Sequence, residues 1–227
     1  FIRDDFTIFA TFVYSYKDCK VLGRKDRGVK HPEDLRGKKI GTSFGTSAHF
    51  FAQVYLSEYG IAKSDVKFVD IPSRDLPEAI HGGKIDAIVI FEPYAYQAGK
   101  TLPDNIVRLP ESKLYRETFN LAVMKQFAAG HPEILKRIVK GLDRAIEFIK
   151  HNEKDSITIA AKKTKTDEDS LVSVWGDFVY QLSLDQSLLV SMEDQARWAI
   201  KNKLTDKARV PNYLGYLYPD AMKAVKP

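Results

Sequence analysis

The sequence predicts an α/β protein with mostly parallel sheets flanked by helices, and three observations lead there. Strand-like and helix-like segments alternate from residue 38 to residue 109. Residues 85–91 form an almost unbroken apolar run, the pattern of a strand buried on both faces in the middle of a parallel sheet. Residues 38–42 read as a strand that passes through a Gly/Ser/Thr turn directly into a helix. A β-α-β-α-β-α-β order implies a parallel sheet covered by helices on both faces.

Taken in order, residues 6–13 are rich in β-branched and aromatic types and read as a buried strand. Residues 19–24 form a second strand, ended by Asp26-Arg27-Gly28, and a turn over 31–37 leads into the strand 38–42. A helix fits 47–59, with Ala48, Phe51, Val54, Tyr55 and Tyr59 on one face and Gly60 as its stop. Then follow a strand at 66–71, a short helix at 75–81, the apolar strand 85–91, a helix at 93–100 and a strand at 105–109. After residues 119–124 the character turns helical. Residues 132–152 carry Leu135, Ile138, Leu142, Ala145, Ile146 and Ile149 at helical spacing, and further helices fit 153–163, 168–179, 188–203 and 218–225. Neither an internal repeat nor a Gly/Ser linker divides the chain.

The 227 residues suffice for one large domain or two small ones sharing a discontinuous path. With 44% apolar and 29% charged residues the composition is that of a globular domain. A single cysteine, Cys19, excludes an internal disulfide and CxxC-type metal or redox motifs. The net charge of +5 is dispersed. Its densest stretches, Arg24-Lys25, residues 36–39 and residues 162–165, are short and lack interleaved aromatics, so they read as solvated faces and not as a nucleic-acid groove. No apolar run approaches the ~20 residues that span a bilayer. No signal peptide opens the chain, which begins inside structured-looking sequence, so a processed or trimmed segment is expected.

The most informative segment is residues 39–49. Backbone N–H groups at a helix start, flanked by the hydroxyls of Ser43, Thr46 and Ser47, suit a carboxylate, sulfonate, nitrate or phosphate. Gly45 lets a ligand approach the backbone closely. Spacing alone leaves open whether Thr46 or Ser47 simply caps the helix. The segment is neither a Walker loop nor a GxGxxG fingerprint. Glu92 and Tyr94 follow the carboxyl end of a central strand, where open α/β sheets place ligands; the alternative is a solvent-facing carboxylate at a helix start. His49, three positions into its helix, is the one histidine placed to touch a ligand, unless it is a surface residue. HExxH, GxSxG and carboxylate–histidine clusters are all missing from the sequence. Cys19 lies in a strand pattern, where a buried inert thiol is the common case. Phe50, Phe51, Tyr55, Tyr59, Trp175, Tyr180 and Trp198 read as core.

The run Asp34-Leu35-Arg36-Gly37-Lys38-Lys39-Ile40-Gly41, then Gly45-Thr46-Ser47, then residues 86–94 resembles the substrate-binding proteins of ABC importers. Within them it is similar to the subgroup that takes up nitrate, sulfonates, taurine and thiamine-precursor pyrimidines. The resemblance implies a two-lobed periplasmic-binding-protein type II fold. Lobe one would comprise residues 1–28 with 121–227 and lobe two residues 29–120, with crossings at 19–24 and 120–124. It implies a small-molecule solute gripped by hinge closure, and a ligand-binding set of Ser43, Gly45, Thr46, Ser47, Ala48, His49, Glu92 and Tyr94. From lobe one it adds Thr11, Tyr14, Ser15 and Asn120. It further implies a periplasmic or extracytoplasmic location, an ABC permease as partner, no nucleic acid, no cofactor, no metal and no catalysis. Two alternatives keep the fold: the ligand-sensing domain of a membrane receptor such as a histidine kinase, and a thiamine-pyrimidine synthase-like enzyme. The chain departs from the family in lacking two βα units ahead of residues 6–13. Lobe one is therefore expected to be N-terminally truncated with an open sheet edge, which a homodimer would cover.

Overall fold

A computed structural model describes residues 3–225; Phe1, Ile2, Lys226 and Pro227, which the expected lobe one includes, lie outside the described residues. The chain divides into two compact units, Tyr16–Glu117 and the pair of segments Phe1–Ser15 with Thr118–Pro227.

The unit Tyr16–Glu117 is a five-stranded mixed sheet with helices on both faces. Its strands are β2 (Lys20–Arg24), β3 (Lys39–Thr42), β4 (Lys67–Asp70), β5 (Ala87–Ile90) and β6 (Ile106–Arg108), in the order β4-β3-β5-β2-β6. β3 is parallel to β4 and to β5, as the alternating pattern predicted. β2 runs antiparallel to β5 and β6, so the parallel part is confined to β4-β3-β5. The helices are α1 (Ser47–Glu58), α2 (Leu76–His81) and α3 (Tyr94–Thr101).

Strand alternation divides the core between the two faces. Ala87 and Val89 join Ile40, Phe51, Ala52 and Tyr55 on the α1 side. Ile88 and Ile90 join Leu76, Ile80, Ala95 and Ala98 on the α2–α3 side. This is why Ala87–Ile90 is apolar at every position: the strand is covered twice.

The other unit carries β1 (Phe6–Ser15), β7 (Glu117–Met124, whose first residue belongs to the first unit) and β8 (Phe178–Ser183), in the order β7-β1-β8. β1 and β8 are antiparallel, with a register shift between Thr11 and Val13. Around them lie α4 (Lys125–Gly130), α5 (Pro132–His151), α6 (Glu153–Thr164), α7 (Glu168–Trp175) and α8 (Gln186–Lys201). Leu135, Val139 and Ile146 of α5 pack with Phe9, Ala10 and Leu182, while Ile138 of the predicted stripe is exposed.

Three expectations differ from the structure. The helix expected over 168–179 ends at Trp175, and Phe178–Ser183 is a strand. Its apolar residues continue a helical spacing, but pairing with β1 and the bond from Ser15 Oγ to the Asp177 carbonyl (2.6 Å) decide the matter. Residues 218–225 hold a short 3-10 helix, Pro219–Ala224, in place of an α-helix. The two units part at Ser15/Tyr16 and Glu117/Thr118, where 28/29 and 120/121 were expected, because β2 is hydrogen-bonded on both edges inside the Tyr16–Glu117 sheet. Among the described residues no helix is long and apolar enough to cross a membrane.

Candidate functional site

The carboxyl ends of β3 and β5 point the same way, and β2 begins beside the end of β5, with Lys20 opposite Ile90. Topology therefore collects three segments at one edge of the sheet: the loop 43–47 with the start of α1, the turn after β5, and the residues leading into β2. This is where open α/β sheets bind ligands.

Three side chains pin the loop. Asp70 Oδ1 accepts the Phe44 N–H at 2.9 Å. His49 Nδ1 accepts the Gly45 N–H at 3.2 Å, and Gly45 holds φ at +77°, a left-handed conformation that suits glycine. The Thr46 hydroxyl donates to the Ser43 carbonyl at 2.7 Å. Thr46 occupies the N-cap position of α1 with an extended backbone, yet its side chain makes no cap hydrogen bond. The first-turn amides of an α-helix have no acceptor within the helix; here the N-cap side chain does not supply one. That observation answers the question left open by the spacing, since Thr46 is at the cap but does not cap. The adjacent Ser47 hydroxyl hydrogen-bonds to the Cys19 thiol.

His49 is not the surface residue that the alternative reading allowed. It is 3% exposed, stacked beneath Phe44 (centroids 4.4 Å apart, planes at 11°) and edge-on to Phe68. Burial, then Lys63, lower its pKa, while Asp70 opposes them. Its imidazole supports the loop from below, because helical geometry aims position 49 back over the preceding turn.

Glu92 and Tyr94 are also turned inward. Glu92 Oε1 meets Lys20 Nζ at 2.5 Å, with the two side chains 6% and 3% exposed, and its Oε2 accepts the Tyr96 N–H at 2.9 Å. The carboxylate thus closes a buried ion pair and satisfies a first-turn amide of α3. The Glu92–Pro93 peptide is cis. Tyr94 packs against the α2–α3 core and edge-on to Phe91.

Beside them lies a cluster that the sequence reading missed. Asp18, Cys19 and Glu117 bring their donor atoms within 4.8 Å of one another. The thiol donates to Glu117 Oε2 at 3.2 Å across 98 residues of sequence. Burial, reinforced by Glu117, pushes the Asp18 carboxyl up to about 8. Burial and the two carboxyls push the Cys19 thiol well up. Tyr115, likewise raised by burial, faces the same three groups. The available signal was Asp18 and Lys20, ionisable residues where a buried strand begins; nothing local linked them to Glu117.

In the other unit, the Thr11 hydroxyl donates to Asn120 Oδ1 at 2.5 Å, and Asn120 Nδ2 donates to Thr118 Oγ1 at 3.0 Å. These two predicted residues form a rung between β1 and β7. Tyr14 pairs with Val179 and Ser15 with Phe178 in the β1–β8 ladder. Two surface concavities, of about 600 Å³ beside Arg74, His81 and Lys100 and of about 520 Å³ beside Phe148, Trp175 and Tyr180, share no lining residue with the predicted set.

This geometry belongs to the periplasmic-binding-protein type of fold. The chain belongs to the NMT1/THI5-like family, whose model matches residues 11–156. A protein of Brucella abortus named as a binding protein is 29% identical over 147 residues, covering 63% of this chain and 46% of its own length. An aliphatic sulfonates-binding protein of Bacillus subtilis is 27% identical over 133 residues, covering 58% of this chain and 40% of its own length. The chain thus spans less than half the length of these curated relatives. Among solved structures, the periplasmic aliphatic sulphonate binding protein of Escherichia coli superposes with a TM-score of 0.78 at 16% identity, over 93% of this chain and 75% of that one. Enzymes occur in the same neighbourhood. A 4,5-dihydroxyphthalate decarboxylase of Comamonas testosteroni is 24% identical over 168 residues, 58% of this chain and 51% of its own length. The desulfurization enzyme DSZB shares the fold at a TM-score of 0.74 and 14% identity, over 98% of this chain and 80% of that one.

Proposed function

We propose that the chain is the solute-binding component of an ABC-type importer and takes a small anionic or polar organic solute of the sulfonate class. The observation that carries this reading is the pinned loop 43–47 leading into an α1 whose N-cap side chain does not cap it. A tetrahedral anionic head is the complement of such a helix start. Glu92 does not oppose an anion, because Lys20 neutralises it. Gly45, Thr46, Ser47 and Ala48 supply the contacts in this reading, with Ser43 beside them, and Glu92 and His49 hold the frame.

The reading is non-catalytic. The chain's one thiol is buried and protonated, and its partners are Glu117 and Ser47, not a histidine base. An extracytoplasmic location, a membrane permease as partner and a second copy along the edge of the three-stranded sheet belong to the same proposal.

A thermal-shift screen against alkanesulfonates, taurine, nitrate, pyrimidines and carboxylates tests it. A ligand at about 100 times its Kd stabilises the fold by about 2.7 kcal/mol, and Thr46→Ala with Ser47→Ala should abolish the response. If every compound leaves the melting temperature of the folded protein unchanged, the reading fails.

A further inference from the structure

We propose that the cleft between α5 and α6 is a binding site for an amphipathic organic anion, an alkyl or aryl body carrying one carboxylate or similar head. The cleft has a volume of about 520 Å³, within the range of small-molecule pockets, ~300–1,000 Å³. All of its lining residues belong to the unit that holds β1 and β8. Phe148 and Ile149 of α5, Ile159 and Lys163 of α6, and the pair Trp175 and Tyr180 line it. The two rings of that pair have centroids 5.2 Å apart and are half-buried.

The wall selects the body of the ligand. Its surface is almost entirely apolar. The hydroxyl of Ser156, which also lines the cleft, donates to the Asn152 carbonyl at 2.7 Å, so its proton is used within the helix. Burial, then Glu153, push the Tyr180 phenol up to about 12, and it stays neutral at neutral pH. A sugar, amino acid or nucleotide would lose water here without gaining partners. A hydrocarbon body gains instead. Phe148 and Ile159 are 43% and 53% exposed, and both would leave water against it.

Lys163 selects the head. It is the one charged residue of the lining and is exposed. Among the described residues no ion pair or hydrogen bond engages its ammonium. A lysine stem can lie along an apolar wall while the ammonium stays at the rim. Glu153, whose charge acts on the Tyr180 phenol, opens the same helix about 15 Å away along its axis. An anionic head therefore takes the Lys163 end, with the body beside Trp175 and Tyr180. The site shares no residue with the loop 43–47, so the proposal does not depend on the solute reading.

The full chain carrying Trp198→Phe keeps Trp175 as its single tryptophan, and decanoate is titrated into it while tryptophan emission is followed. The expected result is a saturable shift of the emission to shorter wavelength, at one decanoate per chain. Methanesulfonate, a head without a body, should neither produce the shift nor compete with it. Ile159→Asp, a change at an exposed position, should abolish the response in protein whose melting curve shows it folded. Lys163→Gln should weaken decanoate binding about two- to fivefold and leave binding of the neutral 1-decanol unchanged. An emission that ignores decanoate, a response that survives in folded Ile159→Asp protein, or an equal effect of Lys163→Gln on decanoate and decanol would each overturn the proposal. So would an emission that shifts with protein concentration and not with decanoate, which would put a second copy of the chain in the cleft.

Discussion

Glu92→Gln removes the counter-ion of a buried ammonium while keeping an oxygen to accept the Tyr96 N–H. Lys20 and Glu92 are separated by 2.5 Å and are 3% and 6% exposed. At an effective dielectric of about 20 their attraction is about 7 kcal/mol. Desolvation of the two charges offsets most of it, so the net worth of the pair is far smaller. Breaking it is a different matter, since the ammonium is left behind in the interior at a cost of about 3–5 kcal/mol. The Tyr96 N–H keeps an acceptor in this variant, which places the expected loss near the lower end, about 3 kcal/mol. For a chain of this size that is a fall in Tm of roughly 6–12 °C. Urea unfolding of Lys20→Met, Glu92→Gln and the double variant closes a cycle, and the double variant should be more stable than the sum of the single losses by about 2 kcal/mol. Losses that add within about 0.5 kcal/mol would refute the ion pair as a structural element.

Gly23→Ala should cost about 1–3 kcal/mol by urea unfolding, because its new Cβ would run into the side chain of Val29, which is fully buried. Gly45→Ala meets no atom within 4 Å, so only the backbone at φ +77° resists. The expected stability loss is about 1–2 kcal/mol, accompanied by weaker binding of whichever solute the screen identifies. His49 has a folded pKa below its unfolded value of 6.5, so the unfolded chain takes up its proton first. Its contribution is complete above pH 6.5 and is lost as pH falls through the depressed folded value. Melting curves of the unaltered chain should therefore fall more steeply over this window than those of His49→Gln, and parallel curves would show that His49 does not titrate as described.

Much of the architecture was legible because local patterns coincide with tertiary roles. Ala87–Ile90 could be placed centrally, since an apolar residue at every position suits a strand covered on both faces. The start of α1 was legible from Gly45-Thr46-Ser47, a turn that leads into a helix. The strand Phe178–Ser183 was not, because its apolar spacing fits a helix equally well, and its pairing with β1 comes from residues some 165 positions earlier.

By itself the sequence determined the α/β class, the order of most elements and the turn that starts the helix used in the proposed function, all of which rest on patterns within a dozen residues. Tertiary structure alone decided the role of each side chain there. It paired Glu92 with Lys20, put His49 beneath the loop, and joined Asp18 and Cys19 to Glu117. Charges and hydrogen-bond donors find partners through space, and spacing along the chain carries no record of a contact made across 98 residues.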